Sequence, residues 1–236
     1  ADNSTVYVSY FSQMDAYSEG YAGIGVWRAA FKPFVDRIAD NDIRLQWFCC
    51  DRSTGVDTED KDGKPIRVTL LRDTETPASV EYQAVKFIGT GRENIQAGTF
   101  SGWELGDYIY MRSEEAYLIK IEALAHKNSP DAVTELENFM KTRQPDYDYT
   151  FTNKADLIEE IIYQKRVEFW GEGLEYIDNR RLNIPVDRTD ETWGAENNNH
   201  FSAAKFRYNQ EERPFLYQLP ISEIENNSQI SPSDQN

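Results

Sequence analysis

The chain has 236 residues, of which 39% are hydrophobic and 13% aromatic. That composition is globular and rich in Tyr, Trp and Phe; it excludes disorder and allows one large domain or two small ones with a substantial core. A formal net charge of −16 argues against the basic surface that nucleic acid or an anionic membrane requires, and no apolar run approaches the ~20 residues of a helical membrane span.

In chain order, Thr5 to Phe11 alternates Val6, Val8 and Tyr10 with Tyr7, Ser9 and Phe11, which predicts an extended piece. Ser12 to Trp27 carries Tyr and Gly without a helical period and reads as loop. Pro33 opens a short helix with Phe34, Val35 and Ile38 on one face, closed by Asp40-Asn41. Cys49 and Cys50 are adjacent. A strained vicinal disulfide is the alternative there; two small buried hydrophobes at the end of an apolar run is the preferred reading. Asp51 to Pro65 is a polar turn region centred on Asp62-Gly63. Arg67 to Leu71 and Ser79 to Ile88 read as short strands, and Gly89 to Gly106 as a glycine-rich loop carrying Phe100 and Trp103.

The helical part follows. Ser113 to Lys127 places Tyr117, Leu118, Ile121, Leu124 and Ala125 on one stripe, and Glu114 and Glu115 suit its positive N-terminal end. Ser129 is an N-cap with Pro130 at the first helical position, and the helix it opens turns Val133, Leu136, Phe139 and Met140 inward. The two form a helix-turn-helix unit of tetratricopeptide type. A second pair is predicted from Leu157, Ile158, Ile161, Ile162 and Phe169, through a turn at Gly171 to Gly173, to Leu174, Ile177 and Leu182. Two pairs are too few for a free-standing solenoid, so they must pack on other parts of the protein. Val186 to Pro214 reads as a long polar loop with Trp193 and Asn197-Asn198-Asn199, and Phe215 to Ile224 as a short extended piece. The expected fold is therefore mostly α, with tetratricopeptide-like helix pairs, long loops and a few short strands. Its organisation is a single region over 1–236: loop-rich and aromatic over 1–110, helix pairs over 111–183, loop and tail over 184–236.

The densest mixture of charge and apolar surface is Gln164 to Leu182. Arg166, Glu168, Glu172, Asp178, Arg180 and Arg181 are threaded among Val167, Phe169, Trp170, Leu174, Tyr176 and Ile177. If that surface is packed, the charges must be part-buried and paired, because an unpaired buried charge is too costly. Arg166, Glu168, Glu172, Asp178 and Arg181 are the candidate ion-pair network. Glu168, Glu172 and Glu175 also raise a glycosidase pair, which needs two carboxylates facing an open cleft at a set separation. Their place among arginines on an apolar helix favours the structural role.

Other chemistry has little support. The two histidines, His126 and His200, are far apart and lack partners at metal-ligand spacing. Asp57, Glu59, Asp60 and Asp62-Gly63 resemble a calcium loop, but Thr58 and Thr69 stand at ligand positions. The stretch reads as a solvated acidic turn. Gly23-Ile24-Gly25 lacks the third glycine of a dinucleotide fingerprint, and no Ser/His/Asp arrangement is present. No catalytic residue, metal site or cofactor is expected. Aromatic rings on loops are the better lead, because a flat ring stacks on the apolar face of a sugar while amides and carboxylates bond its hydroxyls. Tyr17, Tyr21, Trp27, Trp103 and Trp193 are the candidate ligand-binding residues; the alternative for each is burial in the core.

Several strings together resemble the SusD/RagB family of outer-membrane nutrient-binding lipoproteins. Lys165, Arg166, Glu168, Phe169, Glu172, Gly173, Asp178 and Arg181 match its pattern E-R-R-x-E-L, E-G, R-x-x-D-L and a late Arg, while Gln164 and Glu175 depart from it. Arg112 to Leu124, then Asn138, Met140, Lys141 and Arg143, resemble R-x-x-E-x-Y-L-I-K-A-E-A and N-x-V-R-x-R. Leu219 to Ile224, Asn226-Asn227 and Gln235-Asn236 resemble the family's ending, and Asp42-Ile43-Arg44 an upstream D-I-R. The resemblance implies a non-catalytic binding protein at the cell surface that passes an oligosaccharide to a TonB-dependent transporter of the SusC type. It also implies that this chain corresponds to the C-terminal half of such a protein, partnered by the N-terminal half and lipid-anchored to the outer membrane through it. A tetratricopeptide-like protein-interaction scaffold without sugar binding is the alternative.

Overall fold

The computed structural model describes residues 30–49, 55–59, 65–69, 83–84, 86, 110–212 and 218–234. The expected strand at Thr5 to Phe11 and the loops at Ser12 to Trp27 and Gly89 to Gly106 lie outside them. The chain divides into two compact units, Ala1–Trp170 and Gly171–Asn236, each with its own internal order.

In the first unit, α1 (Lys32–Val35) is a single turn with proline in its first positions. It is shorter than expected: Asp36 already caps it by donating to the Lys32 carbonyl, and Ile38 is buried from the turn beyond. A 3-10 turn over Ile43–Trp47 leads into β1 (Phe48–Cys49). β2 (Gly55–Glu59) and β3 (Pro65–Thr69) form an antiparallel hairpin with Val56 opposite Val68 and Thr58 opposite Ile66. The polar turn expected over Asp51 to Pro65 thus contains a strand, whose alternation of Val56 and Thr58 with Asp57 and Glu59 is too short and polar to stand out, while the strand expected at Arg67 to Leu71 overlaps β3. β4 is only Gln83–Ala84 and pairs antiparallel with β1.

The helices of this unit are α2 (Ser113–His126), α3 (Asp131–Lys141) and α4 (Lys154–Glu168). α2 packs on both α3 and α4. Its buried residues are Leu118, Ile121, Glu122 and Ala125. α3 begins where the Ser129 hydroxyl accepts from the Asp131 amide at 3.3 Å, and it buries Ala132, Leu136, Phe139 and Met140. The Asn153 side chain caps α4 by accepting from the Asp156 amide at 3.0 Å. α4 is buried on almost every side from Glu160 to Glu168, so its polar side chains need partners within the fold. Lys165 meets Glu122 at 3.2 Å, and Gln164 donates to Glu160 at 2.7 Å. A separate apolar cluster gathers Val35, Ile38, Phe48, Tyr163 and Val167. Edge-to-face contacts of Phe48 with Phe34 (5.9 Å) and Trp170 (5.5 Å) order it.

Glu168 closes α4 and joins these parts. A carboxylate at the negative end of a helix is unfavourable by itself, and three guanidinium groups offset it. Arg112 Nη1 lies 2.9 Å and Arg143 Nη2 3.3 Å from Oε1, while Arg143 Nε at 3.3 Å and Arg44 Nη1 at 3.4 Å reach Oε2. Arg112 Nη2 and Lys86 Nζ donate to the Glu168 carbonyl at 2.9 and 2.6 Å, and Lys86 also reaches the Trp170 carbonyl at 3.1 Å. Cations therefore satisfy the helix's last carbonyls. Arg44 is 1% exposed. It forks onto Asp42 at 3.0 and 2.7 Å and bonds Gln164 Oε1 at 2.5 Å. The Ile43 amide donates to the Arg143 carbonyl at 2.9 Å, which holds the segments bearing Arg44 and Arg143 together. Burial pushes the Glu168 carboxyl up, but the bonds from Arg143 and Arg112 outweigh it and hold the group below its ordinary 4.5.

The second unit starts at a glycine turn. Gly171 and Gly173 have φ of 78° and 84°. Space for a side chain is open at Gly173, so its backbone conformation is what favours glycine. α5 (Leu174–Leu182) follows and ends on Asn183 in the left-handed region. Its expected apolar face is not inward: Ile177 is 58% exposed, and Asp178 and Asn179 are buried. Asp178 accepts from Arg181 of the same helix at 2.7 Å, and at the helix end the Asn179 carbonyl accepts from the Ile184 amide at 2.9 Å. The region expected as a long loop is organised as β5 (Val186–Asp187), α6 (Asp190–Trp193), a 3-10 turn (Ser202–Ala204) and β6 (Arg207–Tyr208), with β5 antiparallel to β6. The expected extended tail turns helical in α7 (Ile221–Asn226), because Pro220 accepts the first helical amide bonds. The described fold is thus mostly helical with short strands, of the class the sequence indicates.

Glu168→Gln keeps the side-chain shape and removes the charge that the arginines share, so it should cost about 3–5 kcal/mol of stability at neutral pH. Because the folded-state pKa is depressed, the stabilisation is full above 4.5 and fades as pH falls below it. Denaturant unfolding from pH 7 to pH 3 should show the variant losing less stability on acidification than the wild type. Parallel curves would contradict this.

Candidate functional site

Two places in the described structure combine aromatic rings with fixed polar groups, exposed at one and largely buried at the other. One lies in the second unit, around Trp193. Asp187 organises it: one carboxylate oxygen accepts from the Thr189 amide at 3.0 Å and hydroxyl at 2.7 Å, the other from Thr192 Oγ1 at 2.7 Å and Arg207 Nη1 at 2.9 Å. Burial pushes the Asp187 carboxyl up, but the Thr189 amide and the two hydroxyls outweigh it and bring it down to about 2. The Asp187 carbonyl in turn accepts the indole N–H of Trp193 at 2.9 Å. The ring is thereby tethered while 38% exposed.

A second carboxylate braces the same loop. Asp190 takes Lys205 Nζ at 2.7 and 2.9 Å and the Asn198 amide at 2.8 Å. Lys205 and then Asn198 hold its carboxyl below the usual range. Buried Asn198 also donates to the Arg188 carbonyl at 3.0 Å and accepts from the His200 amide at 3.1 Å. Burial, then the charges of Arg188 and Lys205, lower the His200 pKa, so its ring is neutral at pH 7. Phe201 beside it is 74% exposed. The result is a hydrogen-bonded loop displaying an indole, a phenyl ring and the exposed Asn197 and Asn199.

The other place is a cavity of about 200 Å³ in the first unit. Tyr147, Tyr149 and Tyr163 line it together with Ile38, Val167 and the amides of Gln144 and Gln164. Buried Glu160 accepts from Arg37 at 2.7 Å, Gln164 at 2.7 Å and the Tyr147 hydroxyl at 3.3 Å. The Tyr163 hydroxyl donates to the Phe34 carbonyl at 3.2 Å. Burial first, then the Glu160 charge, raises the Tyr147 hydroxyl far above its usual value; burial raises Tyr163 against the opposing charge of Arg37. Both phenols stay protonated, as donors.

Of the candidate ligand-binding residues, Trp193 stands on the braced loop, and Tyr17, Tyr21, Trp27 and Trp103 lie outside the described residues. Of the candidate ion-pair residues, Glu168 is the hub of the first unit and Arg166 is half-buried on α4. Glu172, Asp178 and Arg181 belong to the second unit, where Asp178 and Arg181 pair. The arginines bound to Glu168 come from 124, 56 and 25 residues away, beyond the reach of any local spacing rule. A signal for the Trp193 loop did exist, since Asp187, Thr189 and Thr192 are residue types that bond backbone and one another across short turns. Among the described residues, no group of His, Cys, Asp and Glu has the arrangement of a metal site, and no helix is long and apolar enough to cross a membrane.

The family model described as the SusD family matches residues 29–236. A solved structure with a similar fold is that of a SusD-like carbohydrate binding protein from Bacteroides vulgatus, at a TM-score of 0.59 and 20% sequence identity. The match covers 96% of this chain and 45% of that one, so the chain spans less than half the length of that relative. No curated protein matches. Members of the matched family are non-catalytic binding proteins. With helices, buried ion pairs and family pattern in agreement, this chain belongs to the SusD family.

Proposed function

We propose that the protein is a non-catalytic, surface-exposed binding protein of the outer membrane that captures an oligosaccharide and delivers it to a TonB-dependent transporter of the SusC type. The family match over residues 29–236 carries this reading. The helices α2 to α4 serve as scaffold and as transporter-facing surface, and aromatic loops hold the glycan. Tyr17, Tyr21, Trp27, Trp103 and Trp193 are the proposed contacts, and the anchor is a lipid on a segment N-terminal to this chain.

The physical chemistry of the Trp193 loop supports a sugar more than a peptide. A tethered ring loses little freedom on binding, so ordering it offsets little of its stacking energy. Exposed asparagines beside it can donate to and accept from hydroxyls at once.

Calorimetric titration of a panel of oligosaccharides tests the proposal. Trp193→Ala should weaken binding of the best member by about tenfold or more with the thermal midpoint little changed. Asp187→Ala releases the brace rather than the ring, so it should weaken the same binding severalfold and broaden the Trp193 indole N–H resonance. Unchanged affinity in Trp193→Ala would remove that residue from the site. No binding across the panel, with capture of a protein partner instead, would favour an interaction scaffold.

A further inference from the structure

The tyrosine-lined cavity of the first unit is not required by the glycan reading, and its chemistry is different. Its charged lining residues among those described are Arg37 and Arg44 against Asp42, Asp148 and Glu160, an excess of one negative charge. Arg44 and Asp42 are buried and neutralise each other at 2.7 Å. That leaves Glu160, Asp148 and Arg37 to decide what the cavity prefers.

Arg37 shows what fits. Its guanidinium lies 3.9 Å from the centre of the Tyr163 ring and 2.7 Å from buried Glu160. A cation over an aromatic face with a desolvated carboxylate beside it is a favourable arrangement. Arg37 is nonetheless 41% exposed, and its other terminal nitrogen is 3.8 Å from Glu159, whose side chain is 76% exposed. The side chain can therefore leave the ring for an exposed partner that already faces it. Glu160 would then need a replacement cation, because a buried carboxylate left alone is strongly disfavoured.

We propose that this cavity is a seat for a small organic cation, a compound bearing one primary ammonium or guanidinium group, and that Arg37 is its displaceable occupant. The ligand's cationic head takes the place over Tyr163 against Glu160, and Arg37 turns to Glu159. Glu160 stays paired before and after, so the exchange avoids a buried unpaired charge. A volume of about 200 Å³ is below the usual range of drug-sized sites, which limits the ligand to amino-acid size. Asp148 on the exposed rim adds attraction for positive charge and forms no ion pair among the described residues.

The test is an NMR titration of the full chain with methylguanidinium and with n-butylammonium, using methylurea as the neutral isostere of the first. Either cation should shift resonances of Tyr147, Tyr163 and Arg37, and methylurea should not. Arg37→Ala should tighten cation binding by about tenfold, because the competing internal occupant is removed. Asp148→Asn should weaken it by about threefold through the lost charge at the rim. Shifts with methylurea equal to those with methylguanidinium, or affinity in folded Arg37→Ala equal to or below wild type, would overturn the proposal. If Arg37→Ala does not fold, Asp148→Asn decides: weaker cation binding supports the seat, and unchanged binding or none in the wild type overturns it.

Discussion

One buried carboxylate determines how the first unit is assembled. Glu168 sits where α4 ends, and Arg44, Arg112 and Arg143 reach it from a 3-10 turn, from the residue before α2 and from the residues after α3. Glu168 and Arg44 are almost fully buried, and either charge alone there would be strongly destabilising. Together with Asp42 and Gln164 they satisfy one another, and Arg112 and Arg143 also reach Glu114 at 3.6 and 3.5 Å. Such a group contributes less net energy than an apolar core of equal size. Its effect is geometric: it holds three separate segments against the end of α4.

The same logic extends along α4. A helix buried on nearly all sides would ordinarily be apolar all round. Here Glu160, Gln164, Lys165 and Glu168 alternate with Ile161, Ile162, Tyr163 and Val167. Each polar member has a partner on a different element: Arg37 for Glu160, Arg44 for Gln164, Glu122 for Lys165. In the second unit, Asp187 and Asp190 have a comparable role on a smaller scale, since they knit a short hairpin and hold Trp193 at the surface. In both units, buried or half-buried carboxylates supply the order that apolar area alone does not.

This division between apolar and ionic order decides which features are legible in the sequence. α2, α3 and α4 are legible because their apolar residues recur at helical spacing and because Ser129-Pro130 marks a start. The mixture of charge and apolar groups in Gln164 to Leu182 announces part-buried ions, yet the partners of Glu168 are hidden from periodicity because they are brought in by tertiary packing. Resemblance to family strings picks out Asp42-Ile43-Arg44, Arg112 and Arg143 as separate motifs, and the fold makes them one cluster. Ile177 misleads because its apolar character suggests burial, while the buried residues of α5 are Asp178 and Asn179. The strands expected at Arg67 to Leu71 and Ser79 to Ile88 overlap β3 and β4, whereas β2 is obscured by its short, mostly polar sequence and the Trp193 loop by its polarity. Only Trp193 of the five candidate ligand contacts falls among the described residues, and the other four rest on composition and glycine-rich context alone.

Glu168 thus couples three distant segments into one cooperative unit. Native-state hydrogen exchange on the wild type and on Glu168→Gln measures that coupling segment by segment. In the variant, the amides around Arg44, at the start of α2, after α3 and in the last turn of α4 should lose protection together and by similar factors. Loss confined to the last turn of α4, with the three arginine-bearing segments still protected as in the wild type, would contradict the coupling.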